Sequence, residues 1–318
     1  MAVAIETEEL TKDFLVGFWR RRPYRALDGL SIQVQAGEVF GCLGPNGAGK
    51  STMLKLLMQL LYPTRGSATI LGRPAGDLSM RRRIGFLPEN PYFYDYLTAE
   101  ELLAYFARLF GYGGADVAAR VNRVLDDVGL AAERRMRLRQ FSKGMVQRVG
   151  LAQALLNDPE VVFLDEPMSG LDPLGRKRVR DIILGLRQRG CTVFFSSHIL
   201  SDAEALCDRV AVLVQGRLVG TGRVSEILNV ELKGWELVVA NLPAAAANLI
   251  AGRTRRVTAL SDGHTLLELA SDIAPEALMS ELARQGARTV SLNPIRETLE
   301  DYFVESVAAA APRDTGGL

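Results

Sequence analysis

An α/β fold built around a parallel sheet is predicted by three features of the sequence. Strand-length apolar runs are bounded by turn residues, helical patterns alternate with them, and a glycine-rich segment links the first run to the helix that follows. The runs are 38–43, 161–164, 192–195 and 210–214. Between the first two, residues 91–157 read almost wholly as helix, and Thr98 with Glu101 forms a capping box ahead of Leu102, Leu103 and Phe106. Such an insert reads as a helical subdomain able to move as a unit. After Gly216 and Gly222 the pattern changes, with strands expected at 236–240, 255–260 and 289–292 and helices at 244–251 and 275–285. The expected organisation is therefore a core over 1–229 with a helical insert at about 91–157, a small accessory α/β domain over 230–306, and a disordered tail at 307–318.

Composition narrows the function classes. Of 318 residues, 48% are hydrophobic and 24% charged, a globular profile with enough apolar material for a sizeable core. Lys plus Arg total 38 against 37 Asp plus Glu, so no overall basic field exists to gather phosphate backbones, and no nucleic-acid partner is expected. Cys42, Cys191 and Cys207 make an odd count, and the first two lie in apolar runs that read as buried strands, which suits a reducing cytosol. Glu6, Glu8 and Glu9 stand where a signal peptide needs basic residues, and no apolar run approaches the ~20 residues of a spanning helix. The expected location is cytoplasmic.

The glycine-rich segment is Gly44, Pro45, Asn46, Gly47, Ala48, Gly49, Lys50, Ser51, followed by Thr52 and a helical run over 53–61. This is the phosphate-loop pattern in its expected setting between strand and helix. Glycines let backbone amides converge on phosphate oxygens, the helix N-terminus adds its dipole, and Lys50 supplies a point charge to the outer phosphates. Ser51 is placed to ligate Mg2+, so ATP or GTP is the expected ligand. Asp165 and Glu166 follow the 161–164 run, at the carboxyl end of a strand where open α/β sheets hold their ligands. Two acids after a strand could also cap the next helix, but beside a phosphate loop they read as the Mg2+ partner, Asp165, and the acceptor of a proton from the attacking water, Glu166. His198 ends the next strand pattern, where it could donate to a γ-phosphate or serve structure alone.

Phe141, Ser142, Lys143, Gly144 and Met145 open a helical pattern over 146–156. The order of phosphate loop, this segment, Asp165–Glu166, the Ser169, Gly170, Leu171, Asp172 run and His198 resembles the nucleotide-binding domain of ABC transporters over about residues 5–225. The resemblance implies an ATPase of P-loop NTPase fold acting as a head-to-tail homodimer. In it, Ser142 and Gly144 of one copy close over ATP held by Lys50 of the other. Asp172 would lie at the dimer seam and His198 would contact the γ-phosphate. Phe14 would stack on adenine, with Tyr24 at a more ordinary distance from Lys50.

Two positions depart from the common family pattern. The segment reads Phe-Ser-Lys-Gly-Met in place of Leu-Ser-Gly-Gly-Gln, and Glu89, in Leu87, Pro88, Glu89, Asn90, stands where a Mg2+-sensing glutamine usually lies. Both variants are familiar in ATPase subunits of exporters whose six-helix permease is a separate chain, and the 294–304 segment resembles the end of the C-terminal add-on such subunits carry. The resemblance thus implies export through a separate multi-spanning permease, with this subunit peripheral at the inner face of the cell membrane. The alternative is a soluble ATPase of the same family acting on ribosomes or DNA, a class that usually fuses two such domains or inserts a long coiled coil, neither of which is present. Of the remaining features, the 14–24 segment with Phe18, Trp19 and Arg20 to Arg22 reads as a solvated loop, Arg134, Arg135, Arg137 and Arg139 as a mostly solvated face, and the aromatic 91–97 loop as a contact for the permease or for the core.

Overall fold

The computed structural model describes residues 2–17, 21–227, 232–243 and 246–296. The first compact unit runs to Val224 and the second begins at Ser225. In chain order the first contains β1 (Val3–Val16), β2 (Arg22–Gln35), β3 (Val39–Leu43), α1 (Lys50–Leu57), β4 (Arg65–Ile70), β5 (Arg73–Pro74), β6 (Ile84–Leu87), α2 (Ala99–Leu109), α3 (Gly114–Asp127) and α4 (Lys143–Leu155). β7 (Val161–Asp165), α5 (Pro173–Gln188), β8 (Thr192–Ser197), α6 (Leu200–Leu206), β9 (Arg209–Val214) and β10 (Arg217–Arg223) follow, and the short α7 (Val224–Ile227) spans the boundary between the units.

The central sheet has the order β10-β9-β3-β8-β7-β6, parallel from β9 to β6 and antiparallel between β10 and β9. β3, β7 and β8 are buried along their whole length, which is why they read as continuous apolar runs. The rings of Phe40 and Phe194 stack at 5.6 Å and those of Phe163 and Phe194 lie 5.9 Å apart.

A second sheet, β2-β1-β4-β5, is antiparallel and was not anticipated from the sequence. Its inward residues Ile5, Leu10, Leu27 and Leu30 join Met53, Leu54 and Leu57 of α1 and Phe40 and Phe163 of the central sheet in one core. The expected 14–24 loop is corrected accordingly. Residues 14–16 and 22–24 are the arms of a β1–β2 hairpin in which Phe14 pairs with Tyr24, while Phe18, Trp19 and Arg20 lie outside the described residues.

The insert carries α2, α3 and α4, but 91–98 and 128–137 are not helical, so the expectation of an almost wholly helical stretch holds only in part. Both capping-box bonds are made at α2: Glu101 N donates to Thr98 Oγ1 at 3.2 Å and Thr98 N to Glu101 Oε2 at 2.9 Å. Arginines tie its pieces together. Arg134 clasps Glu100 through two bonds of 3.0 and 2.8 Å, and Arg148 donates to Val128 O and Gly129 O beyond the end of α3. Of the basic cluster, Arg135, Arg137 and Arg139 are exposed, and Arg134 is the member drawn into structure.

The second unit holds β11 (Leu232–Ala240), α8 (Ala247–Ile250), β12 (Thr254–Ala259), β13 (His264–Ala270), α9 (Pro275–Arg284) and β14 (Arg288–Arg296). Its antiparallel sheet has the order β12-β13-β11-β14 and buries Leu237, Val239, Leu267 and Leu269 with Leu278 and Leu282 of α9. β13 is the strand that sequence patterning did not mark. Cys191 sits one residue before β8 and not within it. The expected tail at 307–318 and most of the 294–304 segment lie outside the described residues.

Candidate nucleotide-binding site

Adjacent parallel strands β3, β8, β7 and β6 end on one edge of the central sheet, and each delivers a piece of the site. β3 leads into Gly44–Ser51, β7 into Asp165 and Glu166, β8 into Ser196, Ser197 and His198, and β6 into Pro88 and Glu89. Two loop glycines are dictated by close approach. A Cβ on Gly44 would stand 2.3 Å from Leu213 O, and one on Gly49, whose φ is +104°, would stand 2.6 Å from Ala26 O. Gly49 is the N-cap of α1, so the N–H groups of the first helical turn point out of the loop without helix partners.

Lys50 and Glu166 are both buried, and their Nζ and Oε1 atoms lie 3.3 Å apart. Lys50 Nζ also donates to Gly44 O at 2.8 Å and Pro45 O at 3.2 Å, so the ammonium is fixed within the loop. On its other side Glu166 Oε2 lies 2.8 Å from His198 Nδ1; a carboxylate only accepts, so in this bond Nδ1 carries the proton. Glu166 has φ +49°, in the left-handed region that non-glycine residues rarely occupy. Asp165 Oδ1 accepts from Ser51 Oγ at 3.1 Å and from Ser196 Oγ at 2.6 Å.

These groups open on a cleft of about 580 Å³ lined by the loop, Thr52, Glu89, Glu166, Ser169 and His198, with Phe14, Tyr24 and Ala26 also on its wall. Both aromatics that the sequence offered for adenine are therefore present. Lys12 Nζ lies 5.2 Å from the Phe14 ring centroid. Cys42 packs beneath on β3, and burial pushes its thiol up to about 12, which makes it core filler and no nucleophile. The hydroxyl of Ser51 and the carboxylates of Asp165 and Glu89 are hard oxygen donors of the kind Mg2+ takes alongside substrate phosphates and water.

Ser142, Gly144 and Asp172 do not join that cleft. They line another, of about 560 Å³, with Lys143, Arg148, Gly170 and Arg178. Ser142 is the N-cap of α4, accepting from Met145 N at 3.3 Å, and Asp172 is the N-cap of α5, accepting from Gly175 N at 2.8 Å. Two helix N-termini and three basic side chains make this cleft receptive to an anion. Desolvation, followed by the nearby Arg178 charge, lowers the Arg148 pKa, against the opposing charges of Glu133 and Asp172.

Sequence reasoning missed Ser196 and Ala26. Ser196 is one serine of a Ser-Ser pair, and only the alignment of β8 with β7, which pairs it with Asp165, singles it out.

Comparison with known proteins agrees with the geometry. The family described as ABC transporter (ABC_tran) matches residues 27–169. An uncharacterised ABC transporter ATP-binding protein of Synechocystis is 46% identical over 308 residues, covering 96% of this chain and 85% of its own. The bacitracin transport ATP-binding protein BcrA of Enterococcus faecalis is 34% identical, covering 95% and 96%. A fluoroquinolones export ATP-binding protein of Mycobacterium tuberculosis is 42% identical over 204 residues, 64% of this chain and 66% of its own. Among solved structures, a dimeric post-hydrolysis state of an ATP-binding cassette bound to ADP and Pi is 27% identical with a TM-score of 0.64, covering 69% of this chain and 98% of that one.

Proposed function

The chain belongs to the ABC transporter ATP-binding proteins and is an ATP-binding ATPase subunit, and from that premise we propose that it works as a head-to-tail homodimer driving export through a separate permease. The observation that carries the dimer is the division of the residues proposed to contact ATP between two clefts of one chain. The phosphate loop, Glu166, Glu89 and His198 line one; Ser142, Gly144 and Asp172 line the other. A second copy that presents its Ser142–Gly144 cleft to the first copy's loop completes a site that neither makes alone, and the solved cassette that resembles this chain is dimeric.

In this reading the phosphates lie on the amides of Gly44–Ser51 with Lys50 between the outer ones, and adenine stacks on Phe14 or Tyr24 at the hairpin. Ser51, Asp165 and Glu89 would hold Mg2+, which when bound would supply positive charge against the phosphates. Glu166 accepts a proton from water as its oxygen bonds to the γ-phosphorus and the bond to the β-bridging oxygen breaks, leaving ADP and phosphate. His198 orients Glu166 in the open site and contacts the γ-phosphate in the closed one. Closure of the dimer over ATP and reopening after phosphate release perform the mechanical work.

Export, as opposed to uptake, is supported by the relative named for fluoroquinolone export, while the relative named for bacitracin transport supports transport as such. Among the described residues no helix is long and apolar enough to cross a membrane; in this reading cargo passes through another chain. The exposed Tyr92, Tyr94 and Tyr96 before α2 are the surface assigned to that permease, which would hold the subunit at the inner membrane face. Affinity purification of the tagged chain from detergent-solubilised membranes, with mass spectrometry, tests this reading. Recovery of a multi-spanning protein supports it, and recovery of ribosomes or DNA-bound proteins alone discards the transporter while keeping the ATPase.

A further inference from the structure

We propose that Ser196 is a positioning residue for hydrolysis, holding Glu166 in its left-handed backbone conformation and fixing Asp165 at the same time through one hydroxyl group; this rests on Glu166 being the proton acceptor. Ser196 is completely buried on β8. Its Oγ accepts from Glu166 N at 2.9 Å and donates to Asp165 Oδ1 at 2.6 Å. One side chain thus governs two consecutive residues of the neighbouring strand's end, one through its backbone and the other through its carboxylate.

The arrangement answers a specific strain. A non-glycine residue at φ +49° is strained and persists only where its surroundings over-determine it. The Glu166 amide has left the β7 ladder, which ends at Asp165, and would be a buried N–H without a partner had β8 not placed a hydroxyl opposite. The turn at Glu166 brings its carboxylate between Lys50 and His198, which an extended residue continuing the strand would not do. The second bond works on Asp165. Its Oδ1 takes hydrogen bonds from both Ser196 and Ser51, which fixes the rotation of the carboxylate and assigns its two oxygens different tasks.

Parallel register makes this possible. β8 lies between β3 and β7, and Ser196 pairs with Cys42 on one side and Asp165 on the other. A serine here reaches the end of β7 and lies one residue before Ser197 and two before His198, so β8 supplies both the anchor of Glu166's backbone and the partner of its carboxylate.

The test compares Ser196→Ala, Ser196→Cys, Glu166→Gln and the Ser196→Ala/Glu166→Gln double variant, measuring steady-state ATP hydrolysis and, separately, binding of a fluorescent ATP analogue. Ser196→Ala is expected to lower kcat roughly 10- to 100-fold, as misplacing a reacting group does, with affinity for the analogue changed by less than about 3-fold. Cysteine fills the same space but its thiol is a weak hydrogen-bonding group, so Ser196→Cys should show the same loss; recovery in it would assign the effect to a cavity and overturn the proposal. Because Ser196 acts on hydrolysis through Glu166 and only in part through Asp165, adding Ser196→Ala to Glu166→Gln should cost clearly less than the roughly 10- to 100-fold loss of Ser196→Ala alone. Losses that multiply would overturn it. Full turnover in Ser196→Ala beside a loss in Glu166→Gln overturns this proposal alone, whereas full turnover in Glu166→Gln removes the proton-acceptor role and the route through it together.

Discussion

At the scale of single residues, Lys50 and Glu166 sit 3.3 Å apart yet their removal should be felt in different measurements. Lys50→Ala deletes a cation that the loop carbonyls hold ready for phosphate; a charge-assisted contact of about 1.5–3 kcal/mol corresponds to roughly 10- to 100-fold weaker ATP binding. Glu166→Gln keeps the shape and loses proton acceptance, so hydrolysis should fall by about two to four orders of magnitude with ATP binding preserved. Equilibrium binding and single-turnover hydrolysis, run on both variants, separate the two, and ATP affinity untouched in Lys50→Ala would contradict the first. Most of this arrangement was legible in the sequence because it follows local rules: loop glycines at fixed offsets, a lysine and serine at the helix start, acids at a strand end. What was not legible is Ser196, whose task is set by a strand far away in sequence, and the φ of Glu166, which no composition signals.

At the scale of elements, the same contrast between local and distant signals decides what could be foreseen. The capping box at α2 is a four-residue code, and Thr98 and Glu101 satisfy each other as their spacing predicts. Thr98→Ala should cost about 1 kcal/mol, visible as a lower thermal midpoint, and a melting curve unchanged within error would mean that neighbouring loops hold the helix start instead. The paired sheet of β1, β2, β4 and β5 escaped notice for the opposite reason. Its strands alternate polar with apolar residues, carry register shifts, and bury only one face, so no continuous apolar run announces them. α1 was expected to run through residue 61 but ends at Leu57, because the apolar pattern continues past the turn at Gln59, whose φ is +52°, into Leu60 and Leu61. Apolar periodicity reports burial, and burial outlasts the helix.

At the scale of the whole molecule, the proposed pairing of one copy's Ser142–Gly144 cleft with the other copy's phosphate loop can be put to experiment. Glu166→Gln, by stopping hydrolysis, should let ATP accumulate between two copies and shift the chain to twice its mass by light scattering. Gly144 faces the cleft that would close over the other copy's ATP; a Cβ there stands 3.3 Å from Leu171 Cδ2, close but not forbidden, so Gly144→Asp leaves the fold intact while setting a negative charge against the incoming phosphates. Added to Glu166→Gln, it should abolish the ATP-dependent dimer and leave the monomer's affinity for the nucleotide within about 3-fold, since the phosphate loop lies in the other cleft. A dimer that persists in the double variant would mean that the Ser142–Gly144 cleft does not face ATP across the seam. A lost affinity with no dimer in either chain would instead place both clefts on one nucleotide, which their separate linings argue against.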